Sequence, residues 1–193
     1  MRYSTPVILL KYFQYYWKGA NSKGHGVHSP FVFKFIQDQL NASYSAGVIE
    51  DNAIAKSILL KEINGLGSKS LPKKIIRLLL RLIDQLKPVN TCVLSSSEAM
   101  PMDFTKVESI DFAYLGPANS TAAILEKAEQ VLPKMQSGAC LIMEGIHSSS
   151  EMEAAWEELK KHPTPRLSID LFFIGILFCR KEQKEQEHFI IRY

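Results

Sequence analysis

The stretch Phe112–Glu144, "FAYLGPANSTAAILEKAEQVLPKMQSGACLIME", decides the fold. It opens with a short apolar run, Phe112 to Leu115, of strand length. A helix is predicted over Asn119–Leu132, with Ile124, Leu125, Ala128, Val131 and Leu132 turned inward and Pro133 as its stop. Ala139 to Met143 then form a second strand. Strand, helix and strand joined by connections this short make a parallel pair with a crossover helix.

The same alternation continues on both sides. Downstream, Ser148 and Glu151 have the S-x-x-E spacing of a capping box, opening a helix that carries Met152, Trp156 and Leu159. Two β-rich runs follow, "RLSIDLFFIGILFCRK" and "HFIIRY", separated by the polar "KEQKEQE". They are expected as an antiparallel pair closing the sheet edge. Upstream, Cys92 to Leu94 is another short strand.

Before that strand the pattern is helical. Pro6–Lys18 is amphipathic and rich in Tyr, Phe and Trp, a face suited to the core or to an oligomer contact. Ser29 as N-cap and Pro30 at the first helical position open a helix to about Asn41. Glu50–Asn64 carries Ile54, Ile58, Leu59 and Ile63, and the helix begun by Ser70 and Pro72 carries Ile75, Ile76, Leu79, Leu82, Ile83 and Leu86. The division expected is a helical extension over residues 1–68 and an α/β domain over residues 69–193.

Bulk composition narrows the function classes. Of 193 residues, 46% are hydrophobic and 22% charged, which argues for a globular core and against disorder. The 23 basic and 20 acidic residues are scattered and form no basic stripe, so no nucleic-acid partner is expected. Cys92, Cys140 and Cys179 lie in apolar runs without C-x-x-C spacing, which suits buried thiols in a reducing cytoplasm and implies no metal site. The apolar patch Val7–Leu10 is too short to span a bilayer, so no membrane partner is expected either.

In a parallel sheet, ligands bind beyond the carboxyl ends of the strands. Here those ends read Ser95-Ser96-Ser97, Gly116-Pro117-Ala118-Asn119 and Glu144-Gly145-Ile146-His147. A nucleotide-type cradle needs a glycine turn after the first strand, and the serine loop has none. Between Leu94 and Asp111 there is no room for a further strand, helix and strand. The three serines read most simply as a turn. His25 and His28, in a glycine turn before a helix, admit either a substrate-side acid/base role or a structural bond to backbone. Glu144 and His147 admit either catalysis or charge placement near a helix start.

The runs "LIMEGIHSSSEMEAAWEELKKHP", "SIDLFFIGILFCRKEQ" and "HFIIRY", with the N-terminal "KGHGVHSPFVFKFI", resemble bacterial class I S-adenosylmethionine-dependent methyltransferases of the small-molecule O-methyltransferase type. The resemblance covers most of the chain from Leu10, with one large gap. It implies a reduced Rossmann-like sheet, mostly parallel with antiparallel C-terminal strands, plus an N-terminal helical extension.

The departures from the family pattern are as informative. Where the family carries E-L-G-x-x-x-G, this chain has Val93, Leu94, Ser95 and Ala99, so the acid and both glycines are missing. The strands expected to bear the ribose acid are absent. The family's D-G-x-H becomes Gly116, Pro117, Ala118 and Asn119, and its D-D-I-H-W becomes Glu144, Gly145, Ile146, His147 and Ser148. Glu144 and His147 are thus the candidate catalytic residues, Ser95, Ser96 and Ser97 occupy the degenerate cofactor loop, and His25, His28 and Asn119 are candidates on the substrate side. The reading reached is a non-catalytic relative that binds or interacts without cofactor. The alternatives are an active S-adenosylmethionine-dependent enzyme with a rebuilt pocket, and a subunit whose sheet is completed by a homo-oligomer or protein partner.

Overall fold

A computed structural model of the chain describes residues 2–20, 28–42, 53–65, 71–94 and 104–193. The predicted roles of His25 and of Ser95, Ser96 and Ser97 lie outside these residues. In chain order the elements are α1 (Thr5–Lys18), α2 (Pro30–Phe35), α3 (Ala53–Gly65), α4 (Lys73–Leu86), β1 (Thr91–Leu94), β2 (Ile110–Leu115), α5 (Thr121–Val131), β3 (Met135–Glu144), α6 (Ser150–Lys161), β4 (Leu167–Asp170), β5 (Ile174–Phe178) and β6 (Glu187–Ile190). Helix α2 runs on into a π-helical turn, Ile36–Leu40.

The strands form one six-stranded sheet in the order β1-β2-β3-β5-β4-β6. The fold is therefore α/β with a mostly parallel mixed sheet. Only β5 runs against its neighbours, β3 and β4, while β4 and β6 pair in parallel. This corrects the expected pairing of the two C-terminal runs. The antiparallel pair is a hairpin inside the first run, folded at Leu171–Phe173, and "HFIIRY" adds a parallel edge strand to β4.

Alternation along the strands sends side chains into two cores. Phe112, Tyr114, Cys140, Ile142, Ile169 and Ile176 face helices α2 to α4. Ala113, Leu115, Leu141, Met143 and Leu177 face α5 and α6. A sheet buried on both faces explains why its central strands read as continuous apolar runs. Helices α2 and α3 belong to the first of these cores: Val32, Ile36, Leu59 and Ile63 pack in it with α4 and the sheet.

Helix α4 buries Ile75, Leu78, Leu79, Leu82 and Ile83, an i, i+3, i+4, i+7, i+8 stripe. In α3 the buried side is Ala55, Leu59 and Ile63, whereas Ile54 and Ile58, expected inward, are exposed. Two caps also differ from expectation. Ser149, not Ser148, caps α6, its hydroxyl accepting from Met152 N at 3.2 Å. Ser29 stands at the start of α2 without a side-chain capping bond.

The fit between α6 and the sheet depends on one missing side chain. A Cβ on Gly175 of β5 would come within 2.5 Å of the Trp156 ring. Trp156 is buried, so its ring has little room to retreat. Gly175→Ala is expected to destabilise the fold by about 1–3 kcal/mol, the usual cost of overpacking. Chemical denaturation measures this directly, and Gly175→Ala with unchanged stability would show that α6 does not pack as described.

Candidate functional site

The loops after β2, β3 and β4 converge at the carboxyl ends of the parallel strands, where this architecture holds ligands. Gly145, with φ of 70°, makes the sharp exit from β3. Its N–H donates to Phe173 O at 2.7 Å, tying the β3 loop to the β4–β5 turn. In that turn Phe173 N donates to Leu171 O at 2.9 Å, an i to i+2 bond that puts Phe172 at φ 68°. A bulky residue in the left-handed region is strained, and such strain persists only where surrounding contacts impose it. Here the Asp170 carboxylate accepts from Phe172 N at 2.8 Å, and the Phe172 ring stacks on His147 at 5.2 Å and 27°.

His147 is the centre of the arrangement. Its Nε2 lies 2.8 Å from Asp170 Oδ2 and its Nδ1 lies 3.1 Å from Glu153 Oε1. Both ring nitrogens face carboxylates, and only the doubly protonated imidazolium can donate to both. Burial by itself pushes the His147 pKa down, but the bonds and charges of Asp170, then of Glu153, more than offset this and raise it. Glu153 is a shared acceptor. It also receives Lys11 Nζ at 2.8 Å and the Tyr3 hydroxyl at 2.9 Å, and these bonds outweigh its burial and lower its pKa. One histidine therefore joins the β3 loop, β4, α6 and, through Glu153, the N-terminal segment and α1.

Glu144 is held differently. Its side chain is buried at the end of β3 and accepts a short hydrogen bond from the Tyr114 hydroxyl on β2. Burial raises the Glu144 pKa, opposed by that bond and by the charge of Arg2. Tyr114 is pushed up as well, by burial and then by Glu144. Glu144 and His147 both line a cavity of about 450 Å³, walled by Ile8, Leu71, Pro72, Pro117, Phe172 and Phe173 and reached by Arg2. On the other side of His147 a smaller cavity of about 290 Å³ is lined by Lys11, Tyr15, Trp156, Asp170 and His188.

The predicted residues divide accordingly. Glu144 and His147 come together on one cavity, although each is bonded to other partners. His28 is exposed ahead of α2, and Asn119 is exposed beside Ser120, the N-cap of α5. Neither lines the two cavities described above. Sequence reasoning missed Asp170, Glu153, Tyr114, Tyr3, Lys11 and Arg2. Asp170 left one signal, the one acid inside the mostly apolar β4–β5 run. Tyr114 stands near the end of β2 but reads there as one more apolar strand position, and Glu153, Tyr3, Lys11 and Arg2 lie on other elements or segments.

Other reactive groups are muted. Ser168 Oγ lies 2.8 Å from His188 Nδ1, but the serine is 2% exposed and the bond joins paired positions of β4 and β6. Burial pushes the Cys92 thiol up to about 11 and Cys179 up to about 12, so neither is a ready nucleophile. Among the described residues, no group of three or more His, Cys, Asp or Glu side chains is placed to hold a metal ion. Among them, too, no helix is long and apolar enough to cross a membrane.

The charged histidine has a stability signature. Because its folded pKa lies above the unfolded value of about 6.5, its contribution is fully present below that pH. It is lost as pH rises through the folded pKa. His147→Gln is expected to cost about 2 kcal/mol at pH 5.5, allowing for the partial exposure of the pair, with the difference from wild type shrinking above neutrality. Urea denaturation across pH checks this, and a difference that grew with pH would contradict it. Compared with known proteins, the chain matches no family model and no curated sequence.

Proposed function

We propose that this chain is a non-catalytic relative of small-molecule methyltransferases, acting as a binding protein for a neutral, mainly aromatic small molecule in the cavity between Glu144 and Phe173. One observation carries this reading. Glu144 and His147, the polar groups best placed for chemistry, are already engaged by Tyr114, Asp170 and Glu153, whereas the walls beside them are apolar and open to a ligand. A volume of about 450 Å³ falls in the ordinary range for ligand pockets.

The resemblance to the methyltransferases is supported by the run of parallel strands followed by a C-terminal antiparallel hairpin. The described residues at the carboxyl ends of β1 and β2 do not fit S-adenosylmethionine. Val93 stands in the place of the acid, beside a retained and buried Leu94. The Gly116 N–H, which could otherwise approach a ligand, donates to Leu94 O at 2.9 Å. Glu144, the carboxyl at the end of the next strand, is held by Tyr114.

A second reading, an enzyme using a rebuilt pocket, is favoured by the raised pKa of Glu144, which a general acid requires. Calorimetry separates the two. Titration with S-adenosylmethionine to about 1 mM is expected to give no binding heat, whereas a dissociation constant of about 50 μM or tighter sinks the non-catalytic reading. In the same instrument 2-naphthol is expected to bind the wild type, and Phe173→Ala to weaken it about tenfold by removing one aromatic wall.

A further inference from the structure

Helix α1 has a second face that the cavity does not use. Leu9, Leu10, Phe13, Tyr16 and Trp17 are between 50% and 74% exposed. Their spacing of i, i+1, i+4, i+7 and i+8 sets them in one stripe along the helix. The opposite face is firmly seated: buried Tyr15 donates its hydroxyl to Ile191 O, Lys11 holds Glu153, and Tyr12 packs edge-on against Phe172 at 4.9 Å. The stripe is therefore presented on a fixed platform, and an apolar patch of this kind marks an interaction site.

We propose that the stripe is a two-fold interface with a second copy of this chain, the two α1 helices packing antiparallel across Phe13. The order of its residues is symmetric about Phe13: Leu9 precedes it by as many positions as Trp17 follows, and Leu10 likewise mirrors Tyr16. An antiparallel crossing seats Leu9 against Trp17 of the other copy, Leu10 against Tyr16, and Phe13 against its own counterpart. Every aromatic flank meets an aliphatic one, which is the self-complementarity an isologous contact needs. The exposed area is on the order of 600 Å² per copy, and Val7 at the rim brings it toward the roughly 800 Å² per partner of a stable interface.

Charge points the same way. A helix lying on an anionic membrane carries a basic polar face. Of the two lysines of α1, Lys11 is held by Glu153, and Arg192 beside the helix donates to Gly19 O while covering the Tyr16 ring at 4.8 Å. That leaves Lys18, too little to drive such binding.

Sedimentation equilibrium of the full chain between about 1 and 100 μM is expected to show a rise to twice the chain mass. Phe13→Glu sets two carboxylates across the axis and is expected to weaken the dimer about 30-fold or more, with circular dichroism and melting of the dilute protein unchanged. Under oxidation Phe13→Cys is expected to form a covalent dimer. Leu9→Cys alone is not, since its two copies would lie about 12 Å apart along the axis, beyond disulfide reach. The native cysteines are buried and do not interfere. A strict monomer at about 100 μM, with or without binding to anionic lipid vesicles, overturns the proposal. So does a dimer that Phe13→Glu leaves intact, or cross-linking through Leu9→Cys in place of Phe13→Cys.

Discussion

The site rests on one charged histidine held between two carboxylates. His147 leaves β3 through a glycine turn, and its ring nitrogens meet Asp170 from β4 and Glu153 from α6. Neighbouring carboxylates repel one another, and a charged His147 between Asp170 and Glu153 offsets that repulsion, with Lys11 on Glu153 as a second cation. Glu153 in turn anchors Lys11 and Tyr3. The N-terminal segment and α1 are thereby tied to the strand ends by the same ion cluster, and the cavity acquires its roof.

This arrangement limits the chemistry. A general base needs an unprotonated nitrogen facing the reacting group, and His147 has none to offer while it bridges two acids. Glu144 faces the cavity with a raised pKa, yet its partner Tyr114 already fixes it. What remains is a walled space with polar groups in set positions, the usual build of a binding pocket. The strain at Phe172 fits that view, because the left-handed turn places its ring against both His147 and the cavity.

Part of this was legible in the sequence for clear physical reasons. The β2–α5–β3 unit shows itself because a buried parallel sheet needs short apolar runs and its crossover helix needs a 3.6-residue period. The hairpin of β4 and β5 was hidden, since every position of the run is apolar or buried and the turn residue is Phe172, where glycine or asparagine would have signalled the bend. Ile54 and Ile58 misled because an apolar residue on a helix face says nothing of what the face meets. At the site, Glu144 and His147 could be found because strand ends are where ligands go. Their partners could not, because Asp170 sits inside the apolar run and Glu153 and Tyr3 reach the cluster from other elements.

The charge of the site turns on the protonation of one ring. Two-bond proton–nitrogen correlation of the His147 imidazole, compared with His147→Gln for assignment, reads it directly. At a pH of about 6.5 a histidine in solution is half charged. His147 is then expected to be mostly the imidazolium, with both nitrogens protonated. A neutral ring with one bare nitrogen under the same conditions would contradict it and return His147 to the list of catalytic bases.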